Sequence, residues 1–137
     1  MDNDPQRELV YAMERRELRG HSQHRVSMKT LRRQVRRTCK LLGVVPPTFK
    51  TRSMSRYGII DTSFDPPRMT LDAKYGRNFR AVAHELAHHI VWMKYGERAQ
   101  DHGPTWVSVY TRILHCWRVV PEEGMRALCR KYGIRYR

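Results

Sequence analysis

From Phe79 to Tyr95 the chain has neither proline nor glycine, and the run is bounded by Asn78, a residue type that caps helices, and Gly96, one that ends them. The run is expected to be a helix, and the rest of the fold must accommodate what that helix carries. Residues 84 to 88 within it read His-Glu-Leu-Ala-His. Helix positions four apart lie about 40° from each other around the axis, so His84 and His88 project together and can grip one ion. Glu85 is turned by about 100° from His84. That is too far for an equal third ligand, but it suits a base for a water that the ion activates. Phe79, Val82, Leu86, Ile90 and Met93 fall opposite the two histidines, predicting one side packed in a core and the other open to a cleft.

A catalytic zinc takes three protein ligands and keeps one position open. Cys39, Cys116 and Cys129 are far apart and form no CxxC pair, which argues against a thiolate site or a disulfide framework; they read as small buried hydrophobes. The remaining third-ligand candidates are His89, Glu97, Asp101, His102 and His115. His89 is turned about 140° from His84, towards the buried side, and reads as a packing residue. Glu97 would need a tight backward turn just past the helix end. His102 opens His102-Gly103-Pro104, where glycine permits close backbone approach and proline starts a helix. His102 is therefore preferred, Asp101 and His115 remain alternatives, and the expected cofactor is one zinc ion. Tyr75, Tyr110 and His115 are conceivable donors to an oxyanion, and the sequence does not choose among them. Trp92, Trp106 and Trp117 read as packing residues.

Around this centre the pattern predicts further helices. Pro5 to Arg19 has Leu9, Ala12, Met13 and Arg16 at helical spacing and stops at Gly20; Met28 to Leu42 has the stripe Met28, Leu31, Val35 and Leu42. Residues 48 to 75 contain three short β-prone runs punctuated by Gly58 and Asp65-Pro66-Pro67. Pro104 to Trp117 and Pro121 to Tyr132 read as the last helices, the second ending at Gly133. The expected class is α+β, with helices around a small three-stranded antiparallel sheet. A chain of 137 residues suits one domain: a basic helical part over 1–47 and a zinc-binding core over 48–137.

The charge is strongly one-sided, with 27 Lys and Arg against 13 Asp and Glu. Between Glu17 and Asp61 there is no acidic residue but eleven basic ones, a field that draws polyanions, of which nucleic acid is the commonest. Arg32, Arg33, Arg36, Arg37 and Lys40 flank the stripe of the second helix and are the expected phosphate contacts. No sequence-reading DNA motif accompanies them, so binding should be nonspecific and salt-sensitive. No apolar run is long enough to span a membrane, and the opening Met1-Asp-Asn-Asp-Pro-Gln-Arg is too polar for a signal peptide. The expectation is a soluble, monomeric, cytoplasmic protein, with association to the nucleoid open to it and no membrane contact.

His84-Glu-Leu-Ala-His88 followed by His102-Gly-Pro-Thr-Trp106 resembles the SprT-like zinc metallopeptidases, which include Spartan, over roughly residues 68 to 115. The opening Pro5-Gln-Arg-Glu-Leu-Val-Tyr-Ala-Met-Glu14 also resembles small actinobacterial metallohydrolases with the same motif. The resemblance implies a zincin-like core, His84, His88 and His102 as zinc ligands, Glu85 as the catalytic residue, and Trp106 as the aromatic of the segment presenting His102. It also implies proteolysis of proteins crosslinked to DNA. The cysteine zinc ribbon of many such relatives is absent, so DNA contact would fall to the Arg-rich N-terminal half. Three functions compete: a zinc endopeptidase acting on DNA-associated proteins, a basic DNA-binding module with a structural or vestigial zinc, and a metal hydrolase of a non-peptide substrate.

Overall fold

The computed structural model describes residues 4–96 and 101–137. In chain order its elements are α1 (Arg7–Glu17), a 3-10 turn (Arg19–Ser22), α2 (Met28–Leu42), β1 (Thr48–Arg52), β2 (Gly58–Asp61), β3 (Arg68–Asp72), α3 (Phe79–Tyr95), α4 (Pro104–Cys116) and α5 (Glu122–Tyr132). The class is α+β. Helix ends follow local chemistry. Ser27 and Asn78 accept hydrogen bonds from Thr30 N and Ala81 N at the starts of α2 and α3, while Gly43 and Gly133 take the left-handed conformation that closes α2 and α5.

The sheet is mixed, which corrects the expectation of an antiparallel one. Its order is β1-β3-β2, with β1 parallel to β3 from Thr48↔Arg68 to Arg52↔Asp72, and β2 antiparallel to β3 from Gly58↔Leu71 to Asp61↔Arg68. Consecutive strands usually pair. Here residues 53–57 step across two strand spacings, about 10 Å, which five extended residues easily reach. β3 then inserts between β1 and β2, and β2 is left at an edge.

α3 runs through the middle of the molecule, packed against β2, β3, α2, α4 and the 3-10 turn. It is buried from Arg80 to Ala87 and from His89 to Val91; Val82, Leu86 and Ile90 face the core as expected, and His84, Glu85 and His88 face a cleft on the other side. Met93, placed on the core face, is exposed. A helix buried over so much of its length can hold polar groups only where they find partners, and that requirement shapes the candidate metal centre. α1 buries Val10, Met13 and Glu14 and leaves Leu9 exposed; α2 buries Leu31, Val35 and Cys39 and leaves Leu42 exposed. Cys129 is buried as expected and Cys116 is exposed. One apolar cluster draws on both Val10, Leu31 and Cys39 and Met69, Leu86 and Leu114, so residues 4–47 share the core of the rest. No described helix is long and apolar enough to cross a membrane.

The turn from β3 to α3 is drawn tight by Asp72. Its carboxylate accepts from Met54 N, Lys74 N and Tyr75 N, and Gly76 N donates to its carbonyl. A Cβ at Gly76 would overlap Tyr57 O and lie 2.7 Å from Asp72 N, both backbone atoms that cannot swing away. Gly76→Ala is therefore expected to destabilise the chain by about 3 kcal/mol, at the upper end of overpacking costs, measured as a lowered denaturant midpoint with unchanged slope.

Candidate metal centre

α3 presents His84 and His88 one turn apart, and the loop entering α4 brings His102 back to them. His84 Nε2 lies 3.3 Å from His88 Nε2 and 3.2 Å from His102 Nε2. The three ligand atoms all fall within 4.8 Å of one another, so these residues can hold a metal ion. His84 and His102 are buried and His88 is partly so.

Carboxylates fix the ring orientation of two of the three. His84 Nδ1 donates to Glu14 Oε2 at 2.7 Å, and His102 Nδ1 donates to Asp4 Oδ2 at 2.7 Å. A carboxylate only accepts, so each proton sits on Nδ1 and each Nε2 offers a lone pair. Two such lone pairs facing at 3.2 Å repel unless a metal ion or a proton lies between them. Zinc–nitrogen bonds of 2.0–2.1 Å give tetrahedral edges of about 3.4 Å, close to both measured separations, so the donor set fits zinc. Carboxylate-backed histidines of this kind are the usual outer support of a metal site.

Glu14 serves three donors, accepting also from Arg80 Nη1 and Tyr110 Oη at 2.8 Å each. Burial alone would raise its carboxyl, but His84, Arg80 and Tyr110 together hold it down at about 2. The same contact reverses the effect of burial at His84, whose pKa is raised by Glu14. Burial and the neighbouring imidazoles push His88 well below the usual range, and His102 is lowered by burial and by His84. Burial raises the Glu85 carboxyl. Asp4 further accepts from His102 N at 3.1 Å, while Gln6 donates to the carbonyls of His102 and Arg135 and accepts from Arg135 N. The His102 loop is thus tied to both the segment before α1 and the tail after α5.

Trp106 forms the floor. Its ring centroid lies 4.7–5.1 Å from the imidazoles of His84, His88 and His102, with Tyr110 stacked behind it at 4.8 Å. Above the histidines opens a cleft of about 1220 Å³, with Gly58, Ile59 and Ile60 of β2 on one wall and Arg7, Tyr11 and Arg15 of α1 on another. Glu85 lines it beside His84. A Cβ at Gly58 would sit 3.1 Å from Glu85 Cγ, so the glycine leaves the room in which that side chain lies.

The structure thus brings His84, Glu85, His88 and His102 together. Of the alternatives, Asp101 is exposed at the cleft, whereas His115 is exposed and accepts from Glu122 N, outside the cluster. Glu97 lies outside the described residues. His89 is fully buried with its Nε2 on Val45 O, the packing role expected of it. Tyr110 is committed to Glu14 and Tyr75 is exposed outside the cleft, so neither faces the cluster as a donor. Trp92 lines the cleft, and Trp117 packs on Phe79 and donates to Thr38. Arg32, Arg33, Arg36, Arg37 and Lys40 are all exposed; the first three, with Lys29, surround a shallow hollow of about 370 Å³, and none lines the cleft.

Sequence reasoning missed Asp4, Gln6, Tyr11 and Glu14. Glu14 did leave a signal, since Val10, Glu14 and Leu18 succeed one another at four-residue spacing, a carboxylate set into an apolar stripe. Tyr11, half-buried, has its ring 5.2 Å from that of His102 and 6.2 Å from that of His84. No protein-family model, curated protein or solved structure matches the chain.

Glu14→Gln keeps the shape of the side chain but leaves Arg80 without its buried counter-charge. The expected result is a loss of about 3 kcal/mol in stability and a 10–100-fold weaker affinity for a metal ion at the histidines, measured by denaturation and by chelator competition.

Proposed function

We propose that this chain is a zinc-dependent metallopeptidase of the SprT-like kind. The observation that carries the reading is the meeting of two carboxylate-backed imidazoles and a third histidine beside a buried glutamate, all opening on one cleft. Zinc held by His84, His88 and His102 would supply Lewis acidity to a substrate carbonyl and lower the pKa of an attacking water. Glu85 takes the proton of that water and returns it to the departing amine. Glu14 and Asp4 hold two of the rings in the tautomer that points Nε2 inward, and Trp106 keeps water from the far side of the cluster.

A peptide substrate is favoured by β2. The bond from Asp72 N to Tyr57 O extends the β2–β3 ladder, and its alternation turns the main-chain groups of Gly58 and Ile60 to the open edge. Those residues line the cleft, where an extended polypeptide can pair with them. The resemblance of the His-Glu-Leu-Ala-His and His-Gly-Pro-Thr-Trp segments to SprT-like peptidases points the same way.

Purified protein is expected to carry one zinc per chain. Glu85→Gln should retain it while cleavage falls by about 10²–10⁴-fold; a variant that cleaves like the parent removes Glu85 from the mechanism.

A second surface supports a DNA-associated role. The exposed face of α2 gathers Lys29, Arg32, Arg33 and Arg36, with Arg37 and Lys40 beside them, and no ion pair engages these residues among the described ones. Replacing Arg32, Arg33, Arg36 and Arg37 by Gln is expected to flatten the salt dependence of DNA affinity by about 3–4 in log–log slope. Hydrolysis of a DNA-free peptide should be unaffected. If chelation unfolds the chain and no peptide is ever cleaved, the zinc is structural and the protein is a DNA-binding module.

A further inference from the structure

The cleft has a charge distribution that the hydrolytic centre does not use. Its inner carboxylates, Asp4 and Glu14, are engaged by His102, His84, Arg80 and Tyr110. At its mouth the fold collects Arg15 from α1, Arg19 from the 3-10 turn and Arg56 from the β1–β2 loop. All three are exposed, and none forms an ion pair with a described residue, the pairs that do occur engaging Arg7, Arg80, His84, His102, Arg126 and Lys131. Asp101 is the one exposed carboxylate among the described lining residues. Unpaired guanidinium groups around a concavity focus a positive field into it and offer two-pronged hydrogen bonding to carboxylates.

Resting on the hydrolase reading above, we propose that the cleft selects acidic polypeptide segments, with Arg15, Arg19 and Arg56 pairing with Asp or Glu side chains that flank the scissile bond. A polypeptide is favoured over a nucleic acid strand because the open edge of β2 lies in the same cleft. Main-chain pairing to Gly58 and Ile60 is chemistry that a peptide offers and a phosphodiester does not. Side chains along such a strand alternate between the two faces of the sheet, so every second residue of the bound segment shares a face. Arg56 is brought to Arg15 and Arg19 from a distant part of the sequence, and the basic run that dominates the chain's charge, α2, lies outside the cleft.

The test separates this local selectivity from the general attraction of a chain of net charge +14 for any anion. Zinc-loaded Glu85→Gln protein is titrated with labelled peptides of about ten residues, one rich in Asp and Glu and one with Asn and Gln in their place, near 0.1 M and 1 M salt. The acidic peptide is expected to bind at least tenfold more tightly near 0.1 M salt and to lose most of that advantage near 1 M. Adding Arg15→Gln, Arg19→Gln and Arg56→Gln should remove about tenfold of the affinity, whereas Arg32→Gln, Arg33→Gln and Arg36→Gln, an equal change in charge, should remove less than about twofold. Equal binding of the two peptides, or equal losses in the two triple variants, overturns the proposal. So does a short single-stranded oligonucleotide that displaces the acidic peptide and depends on Arg15, Arg19 and Arg56, since the cleft is then a nucleic-acid groove. The parent enzyme, assayed on the same peptides with its zinc content measured, reads the hydrolase hypothesis separately. Acid-selective binding without any cleavage ends that hypothesis and leaves the selective cleft standing, whereas cleavage without acid preference does the reverse.

Discussion

The Glu14 carboxylate is the interaction on which the molecule turns. It sits on α1, yet its partners are Arg80 and His84 of α3 and Tyr110 of α4, so one buried anion joins three helices. Taking a carboxylate and a guanidinium out of water costs several kcal/mol each, recovered only when geometry is good and further hydrogen bonds are made. Here they are: Arg80 also donates from Nε to Ser22 Oγ at 2.6 Å. The formal charges of the interior add a second constraint. Around the histidines, Asp4, Glu14 and Glu85 are buried carboxylates against one buried guanidinium, Arg80, while the further buried carboxylate, Asp72 at the β3–α3 turn, is held by main-chain donors. A divalent ion at the histidines brings that set to neutrality. Without one, the imidazoles or Glu85 must take up protons to lower the cost, the direction in which burial pushes Glu85 and Glu14 pushes His84.

The parts of the fold legible in the sequence were those fixed by local chemistry. The span of α3 follows from Asn78 and Gly96, that of α2 from the stripe running from Met28 to Leu42, and the start of α4 from Pro104. The His84–His88 pair follows from helix periodicity alone, and the glycine and proline after His102 mark it as a residue that a loop can deliver. What the sequence hid depends on tertiary contacts. The face that α1 buries is set by what covers it, so Leu9 is exposed while Glu14 is enclosed. α3 is two-sided as its periodicity implied, but periodicity could not show how deeply its polar side is set, with Arg80, His84 and Glu85 buried beside the cleft. Asp4 lies outside any helix, with nothing local to announce its bond to His102 across most of the chain.

Charge shows the same limit. Along the sequence the basic residues form one long run, and α2 is its densest stretch. In space they divide: α2 carries its arginines to an outer face, while Arg15, Arg19 and Arg56 meet at the mouth of the cleft. The two surfaces suit different anions. An outer helix face with closely spaced cations matches a phosphate backbone, which is repetitive and needs no concavity. Arginines spaced around a concavity beside a strand edge match side chains presented by an extended chain. On the proposed reading, a protease acting where protein meets DNA, both have a use, one to hold the scaffold and the other to admit the segment being cut.

The sheet order links the fold to the chemistry most directly. Had the three strands paired in sequence order, β2 would lie in the middle, both its edges used, and the strand next to Glu85 would have no main-chain group to spare. Insertion of β3 between β1 and β2 avoids this. It places the short, antiparallel β2 at the margin, with Gly58 against Glu85 and its open edge along the cleft. An exposed edge is a hazard in most proteins, since it invites pairing with any free strand. Here the edge is only four residues long and lies in a recess rimmed by arginines, which restricts its partners to chains that can enter the cleft. The mixed sheet is thus the arrangement that lets one strand brace the glutamate on one side and offer a pairing surface on the other.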